Sequence, residues 1–278
     1  MTKASRHVLL AGGAFVLASG FIADVAAQPG YAPIFQTGRL GWQQPFGGAF
    51  PAVSGSASPI VQDPAHPLIN NEMARINRMQ PTYRIGDVSN PNLKQWAKDV
   101  MKKDNDEVLA GKIAFTTAQS CKPRGIPAFM LAAGPLVFLQ TPEKVVILEE
   151  ASQQARHIYM NVPHSANPKP SWYGESVGRY EGDTLVVDTI GLNAETFVDS
   201  YRTPHTEKLH VIEHWWVIDG GLTLEVRVTV DDPDTFHQPW ETYQRYRRAQ
   251  EPLVEEVCQE GNFNVFEYGI PVAERPDF

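Results

Sequence analysis

The chain has 278 residues, 42% of them hydrophobic and 20% charged, and a formal net charge of −8. That length suits one sizeable core with a peripheral extension or two small domains, of which the single domain is preferred. The acidic balance, with no block of lysine or arginine after the amino terminus, excludes a protein that holds nucleic acid by charge.

Lys3 and Arg6 precede an apolar stretch from Val8 to Ile22, and Val25-Ala26-Ala27 then leads to Gln28. These are the basic, apolar and small-residue parts of a secretory signal peptide, so residues 1–27 are expected to be removed. The apolar stretch falls short of the roughly 20 residues that cross a bilayer, and nothing later is long and apolar enough to anchor the chain. A soluble protein in the periplasm or secreted is therefore expected. Arg6 is followed by His7 and not by a second arginine, which points to export as an unfolded chain and against a cofactor loaded in the cytoplasm.

From Gln28 to about Pro81 the sequence is rich in Gly, Pro, Ser, Gln and Asn without sustained periodicity. It reads as an extended arm, assigned to residues 28–90. Asn92 to Leu109 places Trp96, Val100, Met101 and Val108 among charges, the pattern of one amphipathic helix packed across a sheet or barrel. Cys121 and Cys258 are the only cysteines, and an even count in an exported chain predicts a structural disulfide. A metal or redox pair would need companion ligands or a Cys-x-x-Cys spacing.

Short apolar runs follow at 136–140, 145–149 and 155–161. Gly174 to Thr189 reads as a hairpin turning at Gly182-Asp183, and His210 to Val230 as a second one turning at Asp219-Gly220-Gly221. In its return strand Leu222, Leu224, Val226, Val228 and Val230 alternate with Thr223, Glu225, Arg227 and Thr229, the period of a strand with one apolar face. With a last run from Trp240 to Arg247 this makes about eight strands and no long helices to cross between them. The expected fold is mainly β: an antiparallel up-and-down barrel, calycin or lipocalin-like, over residues 91–278, with a two-sheet sandwich as the alternative.

Several segments resemble a widespread family of exported bacterial β-rich proteins that carries no assigned reaction. They are Cys121-Lys122-Pro123-Arg124-Gly125-Ile126-Pro127, Arg156-His157-Ile158-Tyr159 through His164, Gly174 to Thr189, Pro204-His205-Thr206, Leu209 to Glu213, Asp232-Pro233, Pro239-Trp240 and the end around 256–262. The resemblance covers roughly residues 90 to 265 and implies export and one β-rich domain. Where that family usually has Asp-Gly-Arg, one residue and His-Pro, this chain has Asn161-Val162-Pro163-His164. Tyr180 replaces its customary Trp, and His214 its frequent Arg, so the resemblance implies a specificity of its own.

The acid/base residues cluster near the second hairpin. His205 lies in a Pro-flanked loop entering the strand of His210 and Glu213, and His164 lies on another loop able to reach the same barrel mouth. Imidazole titrates near neutral pH, so such a pair with a carboxylate can take a proton from a substrate and return it. The expected catalytic set is His205, His210, Glu213 and His164. His205 and His210 would exchange protons, Glu213 would orient or charge one of them, and His164 would polarise an oxygen.

Strand parity complicates this, since His210, Ile212, His214 and Trp216 share one face and Leu209, Val211, Glu213 and Trp215 the other. Either a bulge re-aims Glu213, or it is a buried carboxylate partnered by Arg179, Arg227 or Arg245. Trp172, Tyr173, Trp215 and Asp188 are candidates for binding substrate. His164, His205 and His210 are candidate ligands for a divalent transition metal, although their spacing matches no compact ligand motif. Ser176 sits in a Gly-x-Ser-x-Gly string, but a hairpin follows where a nucleophile elbow needs a helix.

The function expected from these residues is acid-base chemistry on a small apolar or aromatic metabolite, a lyase, isomerase or hydratase-like step. The alternatives are a non-catalytic carrier of a small ligand or metal, and an envelope protein making contacts through the arm. Oligomeric state is not legible.

Overall fold

The alternation from Leu224 to Val230 becomes part of an inner wall, whereas Leu222, with which the predicted pattern began, lies in the turn and is exposed. The computed structural model describes residues 40–44, 49–68, 84–132, 134–150, 154–255 and 257–258. In it Leu224, Val226, Val228 and Val230 are all fully buried on strand Thr223–Asp231, while Glu225, Arg227 and Thr229 face outward. Period-two patterning commits one face of a strand to the core, and here that face is the inside of a closed barrel.

Among the described residues nine strands follow one another around the barrel. They are β1 (Leu40–Gln43), β2 (Leu136–Gln140), β3 (Lys144–Glu149), β4 (Ala155–Met160), β5 (Glu175–Glu181), β6 (Thr184–Ile190), β7 (His210–Ile218), β8 (Thr223–Asp231) and β9 (Trp240–Pro252). Each pairs with the next, and β1 pairs with β9 to close the ring. The two predicted hairpins are β5–β6 and β7–β8, with Glu181 opposite Thr184 and Ile218 opposite Thr223.

Two features depart from the expected antiparallel meander of about eight strands. First, β4 and β5 are parallel, with Tyr159 opposite Val177. The connection 161–174 carries the chain from the end of β4 back to the start of β5, although it contains no helix. Second, β1 comes from the segment read as arm. Trp42 is fully buried there, and at Gly41 a Cβ would lie 2.7 Å from the carbonyl oxygen of Leu136, so only glycine lets the two strands approach. Further along the same segment Ala52 pairs with Thr242 and Ala57 with Trp240, which lays these residues against β9.

Helix α1 (Gln95–Leu109) starts three residues later than the sequence reading placed it. It buries Ala97, Met101, Asp104, Asn105 and Val108, a face set by their helical spacing. Its amino end is tied to the β8–β9 loop by the Lys94 N–H, which donates to the Thr235 carbonyl at 2.9 Å. Asp104 pairs with Arg202, and both are almost fully buried. Within the barrel Phe138 meets Trp215 at 5.3 Å between ring centroids, and Trp215 stacks on Tyr246 at 5.9 Å. Cys121 and Cys258 lie at disulfide distance, 137 residues apart in sequence with Cα atoms 5.7 Å apart. No helix among the described residues is long and apolar enough to cross a membrane.

Candidate acid-base site

The inward parity of β7 points Glu213 into the barrel, where its side-chain partners are Arg156 and Trp215 and no described histidine bonds it. Its carboxylate takes a bidentate pair from Arg156 on β4, Nη1 to Oε2 at 2.9 Å and Nη2 to Oε1 at 2.8 Å. Both side chains are fully buried. The Trp215 Nε1–H also donates to Oε2 at 2.8 Å, and Arg156 Nη2 reaches the Ser176 hydroxyl at 3.1 Å and the Thr189 hydroxyl at 2.9 Å. These bonds meet most of the pair's remaining donors and acceptors, as a buried ion pair requires, while the buried Arg156 Nε has no hydrogen-bond partner among the described residues. The partner of Glu213 is therefore Arg156, and not Arg179, Arg227 or Arg245. Arg179 pairs with Glu181, Arg227 with Glu241 and Arg245 with Glu225, all on the outer wall. Ser176 is a spacer in the interior network.

His205 is equally remote from the proposed chemistry. Fully buried, it donates from Nδ1 to the Thr206 carbonyl at 2.9 Å and accepts at Nε2 from the Thr196 hydroxyl at 2.7 Å. Burial holds its pKa below the ordinary value of 6.5, so the ring is kept neutral. Both nitrogens of His205 are engaged by these partners, and it shares none of them with His164 or His210. Among the described residues no three His, Cys, Asp or Glu side chains are arranged to hold a metal.

On the outer wall the remaining residues come together. Asp188 lies on β6 at an outward position, flanked across the sheet by Val177 of β5 and Ile212 of β7. Its Oδ1 accepts from His164 Nε2 and from His210 Nε2, each at 2.9 Å. His164 comes from the crossover 161–174, which is anchored at one end by the Asn161 N–H on the Gly178 carbonyl, 2.7 Å, and at the other by the Ser171 N–H on the Gly191 carbonyl, 3.0 Å. Gly174 closes the crossover in the left-handed region at φ 61°, where a Cβ would stand 2.4 Å from the Ile190 carbonyl oxygen.

The second nitrogen of His164, Nδ1, faces Glu175 Oε1 at 3.1 Å, and the same oxygen accepts the Ser165 N–H at 2.7 Å. Both ring nitrogens of His164 thus face carboxylate oxygens, Nε2 that of Asp188 and Nδ1 that of Glu175. His210 has no partner for Nδ1 among the described residues and is 37% exposed. Burial opposes the charge of Asp188, but the hydrogen bonds from His164 and His210 outweigh it and hold the carboxyl below its usual value. Glu175 is held low chiefly by Ser165, against slight desolvation and with help from His164.

No protein-family model, curated protein or solved structure matches this chain significantly.

The other predicted binding residues lie elsewhere. Trp215 is a core residue on the interior network. Trp172 packs under Lys122, whose Nζ is 5.5 Å from the ring centroid, and Tyr173 meets Phe129 edge-on at 5.8 Å. Beside Asp188, on the same outward face, a groove of about 410 Å³ is lined by Asn161, Val162, Val177, Gly178 and Arg179. Glu175 and the groove were missed in the sequence. The signal for both was outward parity on β5, where Glu175, Val177 and Arg179 stand in one row.

Proposed function

We propose that this is an exported enzyme, periplasmic or secreted, that moves a proton on a small apolar or aromatic metabolite at the outer wall of a calycin-like barrel. The reaction class is a lyase, isomerase or hydratase-like step. The leader at residues 1–27 and the resemblance to exported β-rich proteins support the location. The observation that carries the chemistry is one carboxylate oxygen, on Asp188, shared by two partly exposed imidazoles.

In this reading Asp188 fixes the Nε2–H tautomer of His210 and leaves its Nδ1 lone pair facing solvent, the position of a general base. His164, bracketed by Asp188 and Glu175, supplies the proton on the other side. As His210 gains charge, Asp188 stabilises the imidazolium without becoming protonated, the orienting role an acid plays behind a catalytic histidine. The half-buried setting strengthens these interactions relative to water.

A centre that removes and returns a carbon-bound proton exchanges it with solvent. Incubating the protein in D₂O with small unsaturated and carbonyl compounds, followed by mass spectrometry, should show deuterium entering at least one of them. His164→Gln, Asp188→Asn and His210→Gln should each slow this about 100-fold or more. Undiminished exchange in all three variants would contradict the proposal, and saturable binding without exchange in the wild type would establish a carrier instead.

A further inference from the structure

The geometry points to an apolar or aromatic monocarboxylate as the substrate class, with its carboxylate held by Arg179 at the far end of the outer-wall groove. This rests on the acid-base reading of the neighbouring His164, Asp188 and His210.

Three observations converge. The groove adjoins the reacting groups, because Val177 in its floor stands directly opposite Asp188, and Asn161 and Val162 lead along the chain to His164. Its lining includes apolar side chains, Val162 at 49% exposed and Val177 half-buried beside it, with Asn161 and Arg179 supplying the polar groups. At its end stands the guanidinium of Arg179, 57% exposed, whose Nε and Nη2 both lie on a single oxygen of Glu181, at 2.8 and 2.6 Å. Such an exposed pair contributes little, so a ligand carboxylate with a planar two-oxygen face can replace it.

The spacing defines the ligand further. Val177, in the row of Asp188, and Arg179 are two residues apart on one strand face, about 7 Å. A flat apolar body of that length, a ring carrying its reactive group opposite its carboxylate, spans from the imidazoles to the guanidinium. Dicarboxylates are disfavoured, because Asp188 and Glu175 hold negative charge at the reactive end.

The test uses 4-ethylbenzoate and its uncharged counterpart 4-ethylbenzamide, titrated into the full mature protein and followed by NMR shifts of the amides of residues 177 to 179. The carboxylate should bind about tenfold more tightly than the amide, the effect of one charge-assisted contact at a half-open site. Arg179→Met should abolish that preference and leave the amide unchanged. Glu181→Gln, which frees the guanidinium, should tighten carboxylate binding about two- to fivefold, a gain that misfolding cannot mimic. Equal binding of the two compounds, or no response to Glu181→Gln, would overturn the assignment.

The two readings fail separately. Asp188→Asn should end deuterium exchange while preserving the preference for the carboxylate. If the preference is present and exchange is absent in the wild type, the groove stands and the catalytic reading falls. Exchange that persists in Arg179→Met, at unchanged KM, toward a carboxylate-bearing carbonyl compound that exchanges in the wild type retains the catalyst and removes Arg179 from recognition.

Discussion

His205 and His210 are near neighbours in sequence and opposite in surroundings, and the difference decides which of them is available for chemistry. His205 is sealed between Thr196 and the Thr206 carbonyl, whereas His210 lies on an outward position beside Asp188. Residue type and a Pro-flanked loop marked both as candidates, but burial depends on what packs from elsewhere in the chain. Asp188 was legible in part, as a candidate for binding substrate on the strand face of Thr184, Val186 and Ile190. Its partners were not, because His164 arrives on a crossover whose path no local pattern reveals.

These environments predict a two-stage acid response. Burial depresses the pKa of His205 below 6.5, so on acidification the unfolded chain takes up a proton that the folded chain refuses, and stability falls as pH drops below about 6.5. Asp188 is depressed below 3.8, so its contribution is complete above that value and is lost as pH falls through its lower folded pKa. Urea denaturation across pH should show a shallower first stage in His205→Gln and a shallower second stage in Asp188→Asn. Identical slopes in wild type and variants would reject both assignments.

At the scale of elements, the interior ion pair ties β4 to β7, and the hydroxyls of Ser176 and Thr189 add β5 and β6 to the same network. Sequence parity left Glu213 either re-aimed by a bulge or buried and in need of a cation, and the arginines considered for it were Arg179, Arg227 and Arg245. Arg156 faces Glu213 only because the sheet closes. Removing one partner leaves an uncompensated buried charge, so Arg156→Met or Glu213→Gln should cost about 3–5 kcal/mol by chemical denaturation. Arg156→Met combined with Glu213→Leu should recover much of that loss, and strictly additive losses would show that the two charges are not coupled. Both hairpins were legible from alternation and turn residues. The parallel pairing of β4 and β5 was not, since parallel crossovers are ordinarily signalled by a helix, and 161–174 has none.

For the whole molecule, closure rests on β1, a four-residue strand within a stretch whose composition resembles a flexible arm. Its pattern is too short to register as periodicity, and only the burial of Trp42 between β2 and β9 shows its role. The bridge between Cys121 and Cys258 pins the sequence leading into β2 to the one leaving β9, across 137 residues. By loop-closure entropy such a link is worth about 5 kcal/mol, so Cys121→Ser with Cys258→Ser should lower stability by up to that amount while leaving the far-ultraviolet spectrum unchanged. A loss under about 1 kcal/mol would mean that closure does not depend on the bridge.

The central claim is that chemistry takes place at Asp188 on the outer wall and not at Glu213 in the interior. It is tested most directly by solvent deuterium incorporation, measured per folded molecule in wild type, Asp188→Asn and Glu213→Gln under one set of conditions. The account predicts that Asp188→Asn loses about 100-fold or more, while Glu213→Gln, though less stable, keeps the wild-type rate. A rate that survives Asp188→Asn and collapses in Glu213→Gln would contradict it.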